Sequence, residues 1–128
     1  MQTKLRMLVV SSIALLPAVA SAETRNVVVF FMEWSAQVDQ VAGASINEAA
    51  ELAKQAGAGT VVVTGFAGNT GTEKAAALLS STRAQVVVDR LVADGVPQRR
   101  IQVNSKGATG FVQSAVESHK VTIDVPLR

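Results

Sequence analysis

Apolar and polar positions along this chain follow two periods, and the order in which they alternate predicts the fold. Residues 26–32 (NVVVFFM) are a continuous apolar run, the pattern of a strand covered on both faces. Residues 60–64 form a β-branched run with the length of a second buried strand. Between them Ile46, Ala49, Ala50 and Ala53 recur at helical spacing. Ser45 and Glu48 are spaced as a capping box, so a helix is predicted over 45–56, stopped by Gly57-Ala58-Gly59. A glycine loop (Gly65, Gly68, Gly71) follows the second strand. It leads to a second helix from about Thr72 to Ala93, with Thr70 and Glu73 as its capping box and Gly95 and Pro97 as its stop. Residues 101–104 read as a short third strand, 105–115 as a loop of small residues, and 120–125 (KVTIDV) as a half-exposed alternating strand.

The order is therefore β-α-β-α-β-loop-β. Short strand–helix–strand connections predict right-handed crossovers and parallel neighbours, and the last strand can return antiparallel. The expected fold class is α+β: a two-layer α/β sandwich with a mixed sheet and two helices on one face.

One residue breaks the pattern. Leu79, Val87 and Leu91 stand multiples of four apart on one helix face, and Arg83 completes their row. A guanidinium on a core-facing stripe must be paired or hydrogen-bonded to offset its desolvation. Two roles compete for it: gripping a ligand carboxylate, or satisfying internal carbonyls or an internal acid.

The first 22 residues change how the composition reads. Lys4 and Arg6, an apolar run over 7–16, and Ala20-Ser21-Ala22 have the layout of a cleaved secretory signal peptide. Residues 23–128 are then the single mature domain, and its destination is the periplasm. The run is short for a transmembrane span, and no later segment is long and apolar enough for one. The leader holds two of the twelve basic residues and none of the ten acidic ones, so the remainder is formally neutral. Bulk charge thus makes no case for nucleic acid or anionic lipid. The 106 residues that remain suffice for one core, and with no cysteine they must fold on packing alone.

Catalytic chemistry finds little footing. The sole histidine, His119, stands at the start of the last strand with only Glu117 as a carboxylate nearby, an arrangement more typical of a surface or structural histidine. No cluster has metal-ligand spacing, and no cofactor is implied. The glycine loop before a helix has the parts of an anion site, but G-x-x-G-x-x-G is neither the dinucleotide fingerprint nor a P-loop. Trp34, the only tryptophan, is expected to pack at the sheet edge, with ligand stacking as the alternative.

Taken together, the strand with its G-F-x-G-x-x-G loop, residues 79–87 (LSSTRAQVV), and residues 91–97 (LVADGVP) resemble the peptidoglycan-binding domain of the OmpA-like (outer-membrane-protein-A-like) family. Phe30-Phe31 with Trp34 is similar to that family's first-strand motif, and residues 119–123 (HKVTI) to its closing strand. The resemblance covers the mature chain in register. It implies a non-enzymatic envelope domain in which a loop aspartate and a helix arginine grip the zwitterionic end of diaminopimelate in the peptidoglycan stem peptide. The arginine is kept as Arg83. Gly68 stands at the aspartate position, Phe66 at the loop histidine and Ala76 at the family's asparagine. Losing a charge-assisted bond costs about 1.5–3 kcal/mol, roughly 10- to 150-fold in affinity. Glu73 is taken by its cap, and Asn69 offers an uncharged acceptor.

The candidate ligand-binding residues are Arg83, Asn69, Gly68 and Thr70. The expected function is weak or altered non-covalent association with peptidoglycan at the cell envelope. The alternative is a degenerate domain that binds an envelope protein; a periplasmic enzyme is a distant third.

Overall fold

Valine-rich runs and alanine-rich helices assemble here as strand and helix propensities direct, and the sheet's pairing decides which faces are covered. The computed structural model describes residues 23–68, 71–108 and 118–127. Its elements are β1 (Thr24–Phe30), α1 (Gln40–Ala56), β2 (Val61–Ala67), α2 (Glu73–Ala93), β3 (Ile101–Ala108) and β4 (Lys120–Pro126), with a 3-10 turn at Gln98–Arg100. The four-stranded sheet has the order β1-β4-β2-β3. β4 runs antiparallel to both β1 and β2, while β2 and β3 are parallel. This is the expected mixed sheet with two helices.

Val27, Val29 and Phe31 of the first strand region, Val61 and Val63 of β2, and Val121, Ile123 and Val125 of β4 form one core. Ile46, Ala49, Ala50 and Ala53 of α1 and Ala84, Val87, Val88 and Leu91 of α2 close it. At Gly65 the helix α2 lies directly on β2: a Cβ there would come 2.1 Å from the Ser80 carbonyl oxygen and 3.0 Å from the Ala84 Cβ. That approach requires a glycine on the strand and small residues on the helix.

Several local expectations need correction. β1 is an edge strand with one covered face, so Phe30 and Met32 are exposed rather than buried. The helices lie on one side of the sheet, and an apolar run alone does not report which side is bare. α1 begins five residues earlier than Ser45. Asp39 is its cap, accepting from the Ala42 N–H at 2.7 Å, and Ser45 lies within the helix with its hydroxyl donating to the Val41 carbonyl. α2 is capped by Thr72, which accepts from the Ala75 N–H at 3.1 Å, and not by the Thr70–Glu73 pair. β3 extends through Ala108, so residues 105–108 are strand rather than loop, while 109–115 lie outside the described residues. β1 and β2 are not neighbours, because β4 enters between them; only the β2-α2-β3 unit gives adjacent parallel strands. Finally, Trp34 is 57% exposed rather than packed at the sheet edge.

Candidate functional site

The chain reversals after β1 and β2, the start of α2 and the start of β4 all gather at one end of the sheet. Arg83 reaches this end from the middle of α2, because a helical side chain leans toward the helix N-terminus. It has no solvent exposure. Its Nε–H donates to the Ser35 carbonyl at 2.7 Å, Nη2 to the Met32 carbonyl at 2.9 Å and Nη1 to the Phe66 carbonyl at 3.1 Å. The guanidinium carbon stands 5.5 Å from the centre of the Phe31 ring, within cation–π range. One side chain thus ties the loop after β1 to the end of β2, which is the bracing role.

Carbonyl dipoles do not neutralise the charge. No carboxylate lies within ion-pair distance of Arg83 among the described residues; the pairs found there are Arg25–Glu48, Lys54–Glu51 and Arg90–Asp94. Burial alone pushes the Arg83 pKa below that of a free guanidinium. An arginine nevertheless stays protonated in a protein, and those three bonds use only three of its five N–H groups. The site therefore holds a desolvated cation without a counter-ion among the described residues, a local preference for an anion.

Gly68 is buried at the end of β2, and its backbone is not left-handed. What denies it a side chain is His119: a Cβ on Gly68 would come 2.7 Å from the imidazole Nε2 and 3.1 Å from Cδ2. Asn69 and Thr70, the other two candidates, lie outside the described residues. Gly71 has φ 78°, and a Cβ there would come 3.1 Å from Cη2 of Trp34. Trp34 itself has φ 58°, a costly conformation for a bulky residue, and its largely exposed ring lies at the rim of the glycine loop. Ala76, at the family's asparagine position, is buried, and Glu73 is exposed in the first turn of α2. Phe66 faces the other side of the sheet, with the Lys120 ammonium 5.3 Å from its ring centre.

Sequence reasoning named Arg83 and Gly68 as candidates together; Arg83 bonds the carbonyl of Phe66, two residues before Gly68, while the neighbours of Gly68 are His119 and Ser118. It set His119 aside, yet the imidazole is 91% buried against Gly68. Strand register accounts for it: Gly65 pairs with Val121, which sets His119 opposite Ala67 two residues further along, and the sequence carries no sign of that pairing. The carbonyls of Met32, Ser35 and Phe66 carried no sequence signal, since every residue has one.

The OmpA family model matches residues 30–121. Solved structures with a similar fold include the OmpA-like domain of FopA1 from Francisella tularensis, 23% identical with a TM-score of 0.69, covering 82% of this chain and 75% of that one. The peptidoglycan-associated lipoprotein from Burkholderia pseudomallei is 20% identical with a TM-score of 0.66, covering 77% and 87%. The periplasmic domain of Helicobacter pylori MotB is 20% identical with a TM-score of 0.65, covering 77% and 70%. No curated protein gives a match. The family match spans the Arg83 helix and reaches the start of the closing strand, and the chain belongs to the OmpA family.

Proposed function

We propose that this protein is an exported, non-enzymatic cell-envelope domain that associates non-covalently with peptidoglycan through the end of the sheet that Arg83 occupies. One observation carries this reading: a fully buried guanidinium with no acid paired to it among the described residues, on the helix that the family match covers. A buried cation in that state lowers the free energy of an incoming carboxylate. Similarity to a peptidoglycan-associated lipoprotein and to a periplasmic MotB domain supports an envelope setting, and the leader pattern in residues 1–22 supports export. With glycine at position 68, the grip on a zwitterionic stem peptide is weaker than that of a domain with an acid there.

A second reading has its own support. Met32 (75% exposed), Trp34 and Phe30 form an apolar stretch at the same end, and exposed apolar clusters mark protein partners. Co-sedimentation separates the two. Mature protein is expected to pellet with purified sacculi and to be released by soluble stem peptide. Protein that stays in the supernatant, with a folded circular dichroism spectrum, overturns the wall-binding reading in favour of the protein-partner one.

A further inference from the structure

β1 leaves one edge of the sheet open, and its ladder shows which groups face out. The Phe31 N–H donates to the His119 carbonyl at 2.7 Å and the Leu127 N–H to the Glu23 carbonyl at 2.6 Å. These bonds stand one step beyond each end of the β1–β4 register. Pairing alternates along an antiparallel ladder, so residues 23, 25, 27, 29 and 31 direct their backbone groups to β4. Thr24, Asn26, Val28 and Phe30 therefore present N–H and C=O groups outward, where no other strand lies among the described residues.

The opposite edge of the sheet is guarded and this one is not. β3 carries exposed Lys106, Gly107 at φ 63° and a register break against β2, features that discourage a further strand. β1 has no proline, glycine or lysine, and its register against β4 is unbroken from Thr24 to Phe30. Its one charge, Arg25, lies on the helix side, 3.6 Å from Glu48 of α1. Apolar surface borders the edge on both faces. Phe30, on the bare face, is 51% exposed; Val41, 76% exposed, shares a flank of α1 with Glu48, two turns away.

We propose that this edge is a self-association surface, on which a second copy of the chain pairs antiparallel, β1 against β1, about a two-fold axis at Val27. An antiparallel edge is its own complement, as a closed dimer requires. This register overlaps the whole of β1. Thr24 pairs with Phe30 of the second copy and Asn26 with Val28, so each outward residue meets an outward residue. Arg25 falls opposite Val29, and no like charges face one another. Moving the axis to Val28 would set Glu23 opposite Glu33, a destabilising pair. Moving it to Asn26 would carry Phe30 past the end of the other β1. The helices also allow it. α1 packs on β1 and β4, and α2 chiefly on β2 and β3, one helix to two strands. Two strand spacings of about 4.8 Å leave the roughly 8–10 Å that packed helices need, so the second α1 falls into the same spacing. The product is a continuous eight-stranded sheet with its helices on one side. It goes beyond the wall-binding reading and does not depend on it.

Sedimentation velocity of the exported protein over a range of micromolar concentrations tests this, and a reversible dimer is expected. Val28→Pro removes the central outward N–H without touching the β4 ladder, at a position where an edge strand accepts proline. It should weaken the dimer by about tenfold or more. Introduced cysteines read the register, since the chain has none of its own. Asn26→Cys and Val28→Cys proteins, mixed and oxidised, should cross-link to one another. Each alone should not, because its counterpart stands two residues further along, out of disulfide reach. Folded wild type that stays monomeric throughout overturns the inference and leaves the edge to a strand of some other protein. So does a dimer that Val28→Pro leaves unchanged, or a cysteine mixture that cross-links no more than the single variants. The cysteine arm contains no proline, so a Val28→Pro variant that fails to fold does not obscure the result.

Discussion

Arg83 and Arg100 both fasten backbone carbonyls from segments far apart in sequence, at opposite ends of the sheet. Arg100 lies just before β3, where its Nε–H donates to the Gly59 carbonyl at 3.0 Å and Nη1 to the Ala53 carbonyl at 2.8 Å. Those acceptors belong to the last turn of α1 and the turn that follows it. The helix C-terminus thus meets a positive charge, and dipole and cation compensate one another. Arg100 is only partly buried as a residue, although its Nη2 is itself buried and has no hydrogen-bond partner among the described residues. Arg83 lacks that helix-end compensation: it projects from mid-helix, it is fully buried, and three carbonyls from two separate segments are its only described hydrogen-bond partners. Similar bonds therefore have different consequences. One arginine completes a helix end, while the other leaves a surplus of positive charge inside the protein, which is a reason for a ligand to come.

The largest effect that would break this comparison is expected at Arg83. Arg83→Ala removes three charge-assisted bonds, strands three carbonyls in the interior and opens a cavity, so stability should fall by at least about 3 kcal/mol. A variant melting within a degree or two of wild type would mean the carbonyls find water, and the brace is dispensable. Arg100→Ala should cost less, about 1–2 kcal/mol, because it makes two bonds rather than three and the α1 cap glycine also donates to the Ala53 carbonyl. An Arg100 loss equal to that at Arg83 would erase the distinction between the two ends. The smallest effect is expected at Trp34. With its ring mostly in solvent, Trp34→Ala should change stability by no more than about 0.5 kcal/mol. The same variant should reduce pelleting with sacculi if the exposed ring, rather than Arg83 alone, touches the wall.

Legibility in the sequence followed the range of the interactions involved. Features that depend on neighbours three or four residues away were readable: the Ile46–Ala53 stripe, the alternation of β4, and the stop of α2, where Gly95 takes φ 104° and the Val96 N–H donates back to the Leu91 carbonyl. The odd placement of Arg83 was readable for the same reason. Asp39 and Ser45 both suit a helix cap, and only the packing of Ala42 and Gly43 selects the earlier one. Trp34 was misplaced because a large aromatic resembles core until the loop that carries it is known. The contact between His119 and Gly68 depends on the register of β4 against β2, a pairing across more than fifty residues that leaves no local trace.

The insertion of β4 between β1 and β2 has a consequence in time. β1 pairs with no strand other than β4, and β2 makes its second ladder with it. A growing chain that has delivered β1, both helices, β2 and β3 still lacks the strand that joins its two halves. One edge of β2 and the whole of β1 stay open until β4 arrives. Such a topology couples completion of the sheet to the arrival of its last strand, and it makes folding slow and all-or-none rather than progressive. Any chain cut before Lys120 has two fragments of a sheet and no means of closing them.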